Sequence, residues 1–220
     1  DCNICKFINA DDPSILLVDP YNVQCVYIYD YCNSNPVMNV DPEGYWSYNR
    51  SKVLSYIKRW YDSHNPKFAN LDGKGGDCAN FVSQCLYAGG FKMYKSGYVT
   101  WYCYKNFLRI WCYCKNWTKA NSLYGYVNTF YKKNEYKIKK YQDVLKYLSK
   151  VKVGDLVFFD WTSDGKVDHA AIISSVDKAG DIYYAAHTNS RLYASIGALT
   201  NRKKYKNKIT IYIITLKDRY

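Results

Sequence analysis

The apolar pattern of this chain changes period part-way along, and that change limits its fold more than any other feature. Val53, Leu54, Ile57, Trp60 and Tyr61 recur at helical spacing and predict an amphipathic helix within 47–63, stopped by Asn65-Pro66. A second helix is expected from about Cys78 to Tyr87, with Phe81, Val82, Cys85 and Leu86 inward and Gly89-Gly90 as its stop. Shorter helices are expected over 122–131 and Tyr141–Ser149, the latter with Val144, Leu145 and Leu148 on one face. The last third reads as strands: Asp155–Phe159, His169–Val176, Ile182–His187 and Lys208–Leu216, with a hairpin turn at Asp177–Asp181. Helices followed by a strand meander imply an α+β fold, with the helices packed on one side of an antiparallel sheet.

Composition narrows the function classes. Of 220 residues, 48% are apolar, too many for a disordered chain. No stretch of about 18 uncharged apolar residues is present, so no membrane-spanning helix is expected. The chain opens on Asp1 with no charged-then-apolar leader, so a fragment, a processed product or the tail of a longer chain is expected. Net charge is +12 and unevenly spread. Residues 1–45 hold one lysine, Lys6, against Asp1, Asp11, Asp12, Asp19, Asp30, Asp41 and Glu43, a net −6, and the remainder carries +18. Such a break suits two pieces of different origin, and the basic piece suits an anionic partner. Nine cysteines leave at least one thiol unpaired. Their spacing gives no regular disulfide framework and no paired CxxC zinc motif, so neither a metal nor a cofactor is expected.

Residues 1–44 are rich in turns, with one strand-like run at Val26–Tyr31. Lys6–Ser14 (KFINADDPS), Tyr27–Val37 (YIYDYCNSNPV) and Asp41–Gly44 (DPEG) resemble the ending of the Rhs/YD-repeat-associated core domain. Val26 and Tyr27 depart from the leucine and asparagine usual there. The resemblance implies a domain boundary after residue 45, with an effector domain over 46–220, and a larger β-rich shell as its neighbour.

The sharpest chemical feature is Gly75-Gly76-Asp77-Cys78-Ala79-Asn80-Phe81. A cysteine where a glycine-rich loop turns into a helix faces unpaired N–H groups and the positive end of the helix dipole. Both favour the thiolate, and the same N–H groups can hold an oxyanion. A buried structural cysteine would also fit. A cysteine nucleophile needs a base, and there are three histidines. His64 follows the first helix and suits a solvated C-terminal cap. His169 opens an apolar strand, and His187 closes the next. A three-residue turn over 177–179 sets His169 opposite His187, and a five-residue turn sets it opposite Asn189. Side-chain direction alternates with period two, so 187 and 189 share the face of His169 in either register.

Gly76–Leu86 (GDCANFVSQCL), Gly154–Phe159 (GDLVFF), Asp168–Ile173 (DHAAII) and His187-Thr188 resemble the putative amidase domain family, a branch of the NlpC/P60-like, papain-related cysteine hydrolases. Arg50, Trp60 and Asn65-Pro66 also fit that family, and the resemblance covers about 46–217. It implies a papain-like α+β fold with Cys78 as nucleophile, His169 as base and His187 as the orienting residue, Asn189 being the alternative third member. Asp77, Asn80 and Asn189 are candidate substrate contacts, although Asp77 and Asn80 equally suit helix-start polar roles. Trp101, Trp111 and Trp117 would line a groove or fill the core. The implied reaction is amide hydrolysis by a thiol, as an amidase or an endopeptidase, with peptidoglycan or another amide-containing cell-wall material as substrate. The implied setting is a secreted or cell-surface toxin domain with an immunity protein as partner. A catalytically inactive cell-wall or carbohydrate-binding module is the alternative. A nucleic-acid-directed toxin would draw on Lys132-Lys133, Lys139-Lys140 and Arg202–Lys204.

Overall fold

The first helix, α1 (Arg50–Trp60), starts where the Asn49 side chain accepts the N–H of Lys52, and ends with Lys58 and Arg59 at its negative pole. This is a computed structural model, and it describes residues 46–95, 99–177, 179–205 and 208–220. The N-terminal piece expected over 1–45, with its strand at Val26–Tyr31, lies outside the described residues. Helix α2 (Asp77–Ala88) follows a loop that ends in Gly76. A small hairpin, β1 (Cys103–Lys105) and β2 (Trp111–Tyr113), precedes the short α3 (Lys115–Thr118) and α4 (Ala120–Phe130). Then come β3 (Lys132–Ile138), α5 (Tyr141–Tyr147) and a 3-10 turn at Leu148–Lys150. The chain finishes with β4 (Leu156–Asp160), β5 (His169–Asp177), β6 (Asp181–Ala186), β7 (Arg191–Ser195), α6 (Ile196–Asn201) and β8 (Thr210–Leu216).

The main sheet runs β3-β8-β4-β5-β6-β7, and every neighbouring pair is antiparallel. Strand β4 is buried at all five positions because helices cover both faces. Leu156 and Phe158 join Ala170, Ile172, Ala185 and Ile214 in the core under α1, α2 and α4. Val157 and Phe159 join Ala171, Ile173, Tyr184 and Ala186 in a second core with Val144 of α5 and Ile196 and Leu199 of α6. The expected one-sided packing is therefore corrected. The apolar run of β4 has no polar face to leave in water, and α5 and α6 close its second side. Arg50 locks α1 to the sheet. Its Nη1 donates to Asp155 Oδ1 and to the Val153 carbonyl at 2.8 Å each, and its Nη2 donates to the Leu216 carbonyl at 2.9 Å.

One irregularity decides which side chains meet. From the hairpin turn inward, Asp177, Val176 and Ser175 pair with Asp181, Ile182 and Tyr183. The register then shifts between Ile173 and Ser175, so that Ile173 pairs with Tyr184 and Ile172 with Ala185. A single extra residue reverses face parity beyond it. Extended by two and three residues past its last pair, the shifted register would set Ala170 opposite His187 and His169 opposite Thr188. The expected register, with His169 facing 187 or 189, is overturned by that bulge.

Candidate active site around Cys78

Cys78 is the second residue of α2. Gly76 caps the helix without a side-chain hydrogen bond, so the first N–H groups stay available. At Gly76 the loop packs closely on the segment before α4. A Cβ there would stand 2.8 Å from the Thr118 carbonyl oxygen. The Cys78 side chain packs against the core under α1 and α2. Burial pushes its thiol up, while the N–H groups of Ala170 and Ala79 pull it down and the Asp77 charge adds to the rise. The helix start was expected to leave a lowered thiol. Here desolvation outweighs it, and the group rests protonated.

The position of Ala170 matters for chemistry. Pairing between β5 and β6 stops at Ile172 and Ala185, so His169–Ala171 have β4 on one side and no β6 partner on the other. The thiol therefore meets the backbone of β5 where the two strands have parted.

Asp77 lies beside Cys78 and is 2% exposed. Its Oδ2 stands 2.6 Å from His187 Nδ1 and 3.3 Å from His64 Nε2. Its Oδ1 accepts the Leu71 N–H at 3.3 Å and Asn80 Nδ2 at 2.9 Å. Burial alone would raise this carboxyl, but the bonds from His187 and Asn80, the His187 charge and the Leu71 N–H bring it down to about 2. His187 has a second bond, from Nε2 to the Trp60 carbonyl at 2.6 Å, and its ring stacks on Phe81 at 4.1 Å. Both of its nitrogens thus face acceptors, and neither is turned to Cys78. His64, read from sequence as a solvated cap, instead sits one-third exposed between Asp72 at 3.1 Å and Asp77. No sequence spacing signals that contact, because it depends on the fold of the 71–77 loop.

His169 lies on the other face of the sheet. Its ring packs beside Phe159 and Trp161, and the Cys78 thiol meets backbone N–H groups instead. It lines a pocket of about 350 Å³ with Trp161, Tyr184, Asn189, Arg191 and Tyr205. Burial and the charge of Arg191 lower its pKa to about 4, so the ring is neutral at pH 7. Thr188 and Asn189 adopt positive φ, 62° and 70°, in the turn out of β6, and Asn189 faces this pocket rather than Cys78. Asn80 is fully buried and fully engaged. Besides Asp77, it donates to the Ala69 carbonyl at 2.8 Å and accepts Trp117 Nε1 at 2.9 Å, which leaves nothing for a substrate. Trp101 and Trp117 are core residues at 0% exposure, and Trp111 is partly buried.

The family model described as "Putative amidase domain" matches residues 47–214. Two proteins of Bacillus subtilis (strain 168) are similar to this chain. "Uncharacterized protein YhbB" is 26% identical over 136 residues, 60% of this chain and 39% of that protein. "Uncharacterized protein YjcM" is 25% identical over 189 residues, 83% of this chain and 41% of that protein. The chain thus spans about two-fifths of the length of these relatives.

Proposed function

Because this chain belongs to the family described as "Putative amidase domain", a family whose name denotes amide hydrolysis, we propose that it is a thiol hydrolase with Cys78 as its nucleophile. The observation that carries the reading is the seat of Cys78. It stands in the first turn of α2, against the N–H of Ala170, where β5 has parted from β6. A papain-like arrangement, with a helix-start cysteine packed on an antiparallel sheet, is the finer fold assignment that goes with it.

In this scheme Sγ attacks the amide carbonyl while the thiol proton passes to an imidazole. The C–N bond breaks, the amine leaves with that proton, and water hydrolyses the thioester. The free N–H groups of the first turn of α2 stabilise the oxyanion. His187 is poorly suited as the base, because its Nε2 is committed to Trp60 and its Nδ1 to Asp77. His169 is the neutral imidazole next in sequence to Ala170, and its ring opens onto the pocket on the opposite face of the sheet. We assign His169 the base role, which requires the β5 backbone at its first residue to turn over so that the ring is presented on the Cys78 face. The basic 46–220 piece and its amide chemistry favour peptidoglycan as the substrate class. Delivery at or beyond the cell surface as the effector end of an Rhs-type chain, with an immunity protein as partner, belongs to the same proposal.

The separation of His169 from Cys78 favours one second reading, a wall-binding module without turnover. Incubating purified sacculi with the wild-type protein, Cys78→Ala, His169→Ala and His187→Ala decides between them. Fragment release that Cys78→Ala and His169→Ala abolish supports the hydrolase. Release that survives His169→Ala but not His187→Ala transfers the base role to His187. Binding without release by any variant overturns catalysis on this substrate.

A further inference from the structure

We infer that His64, Asp77 and His187 form a binding site for a divalent transition-metal ion, zinc foremost, with Asp72 as the fourth ligand. One ligand atom from each of the first three lies within 4.8 Å of the other two, and His64 Nε2 and His187 Nδ1 both face Asp77 Oδ2, at 3.3 and 2.6 Å. Asp72 Oδ2 adds a second carboxylate oxygen 3.1 Å from His64 Nε2. Two imidazole nitrogens and carboxylate oxygens are a donor set that suits zinc, whose bonds to such atoms run about 2.0–2.2 Å. Tetrahedral ligands on such bonds stand about 3.3 Å apart. The contacts at 3.1 and 3.3 Å match that spacing, and the 2.6 Å contact between Asp77 and His187 would open to admit the ion.

The outer hydrogen bonds are already in place. His187 gives its other ring N–H to the Trp60 carbonyl, and Phe81 stacks on the ring, so Nδ1 is held toward the cluster. Asp77 spends Oδ1 on Leu71 and Asn80 and keeps Oδ2 for the cluster. A metal-ligating histidine that donates its far N–H to a carbonyl, and a ligating carboxylate anchored by its other oxygen, are the usual supports of a zinc site. With its Nε2–H given to Trp60, His187 has Nδ1 left to offer its lone pair to an ion. His64 and Asp72 reach solvent and give the ion an entry path. Two carboxylates balance the two positive charges. The ion would tie the segment after α1, the 71–77 loop and the end of β6 together beside Cys78.

This proposal rests on ligand geometry and stands apart from the thiol reading. The full chain, stripped with a chelator and checked by circular dichroism, is titrated with Zn²⁺ by calorimetry and with Co²⁺ by absorption. One equivalent of Zn²⁺ is expected, with visible cobalt bands of a nitrogen–oxygen site and no thiolate-to-cobalt charge-transfer band. His64→Ala should weaken binding by more than the ~10–100-fold cost of losing an outer hydrogen-bond partner. Cys78→Ala should bind as the wild type does. If His64→Ala does not fold, Asp72→Asn, at a half-exposed position, carries the test with a smaller loss. No binding by the wild-type protein overturns the proposal. So does a thiolate band, or binding that survives His64→Ala and disappears in Cys112→Ser with Cys114→Ser.

Discussion

Asn80 holds three groups at once, the Ala69 carbonyl, Asp77 and the Trp117 indole, with no atom to spare. Asn80→Ala strands a buried N–H and a buried carbonyl, at about 1–3 kcal/mol for each unsatisfied group. Urea unfolding should move by that order, and loss of Asp77 support should follow. His169 carries a pH signature. The unfolded chain takes up its proton near 6.5 and the folded chain resists until about 4, so stability falls as pH drops through that window. It levels off below the window and is unaffected by this group above it. The full effect is on the order of 3 kcal/mol. His169→Gln should flatten the slope of urea midpoint against pH; an unchanged slope would place the titrating group elsewhere. At this scale the helix start at Cys78 was legible, because Gly75-Gly76 precedes an apolar run at helical spacing. His64 was not, because its partners are set by a loop that no periodicity describes.

Elements were legible where burial is one-sided or complete. Helices α1, α2 and α4, and strands β4, β5, β6 and β8, stand within a few residues of where their patterns put them. The misses are the two edge strands of the main sheet, the β1–β2 hairpin, α3 and α6. Strand β3 reads Lys-Lys-Asn-Glu-Tyr-Lys-Ile, with one buried position at its end, and β7 has no buried position, so neither carries the apolar run that marks an inner strand. Charge on an edge strand discourages pairing with a second molecule, and the same charge hides the strand from a pattern search. The bulge in β5 was equally invisible, and it moved His169 to the far face. Two glycines give a paired prediction for the helices. Gly76→Ala drives a methyl onto the Thr118 carbonyl, and should cost about 1–3 kcal/mol and displace Cys78. Gly125→Ala, inside α4 with nothing within 4 Å, should stabilise by about 0.4–1 kcal/mol. Thermal unfolding of the two variants reads both signs.

Over the whole molecule, Arg50 joins parts of the chain more than a hundred residues apart: α1, the approach to β4 and the end of β8. Burial pushes the Asp155 carboxyl up even with this partner beside it, so removing the arginine leaves a poorly solvated carboxylate. Arg50→Ala should cost about 3–5 kcal/mol by urea titration, and a loss under 1 kcal/mol would contradict the geometry. Trp46 and Tyr220 close the described fold in the same region. Each N–H bonds the other's carbonyl at 2.9 Å, and the rings stack at 4.6 Å. The polypeptide from 46 to 220 therefore traces a loop whose ends touch. A short peptide could join them, and new termini could be opened at the exposed Phe107–Ile110 tip. Such a circular permutant should keep the sheet order, because no strand pairing depends on where the backbone is cut.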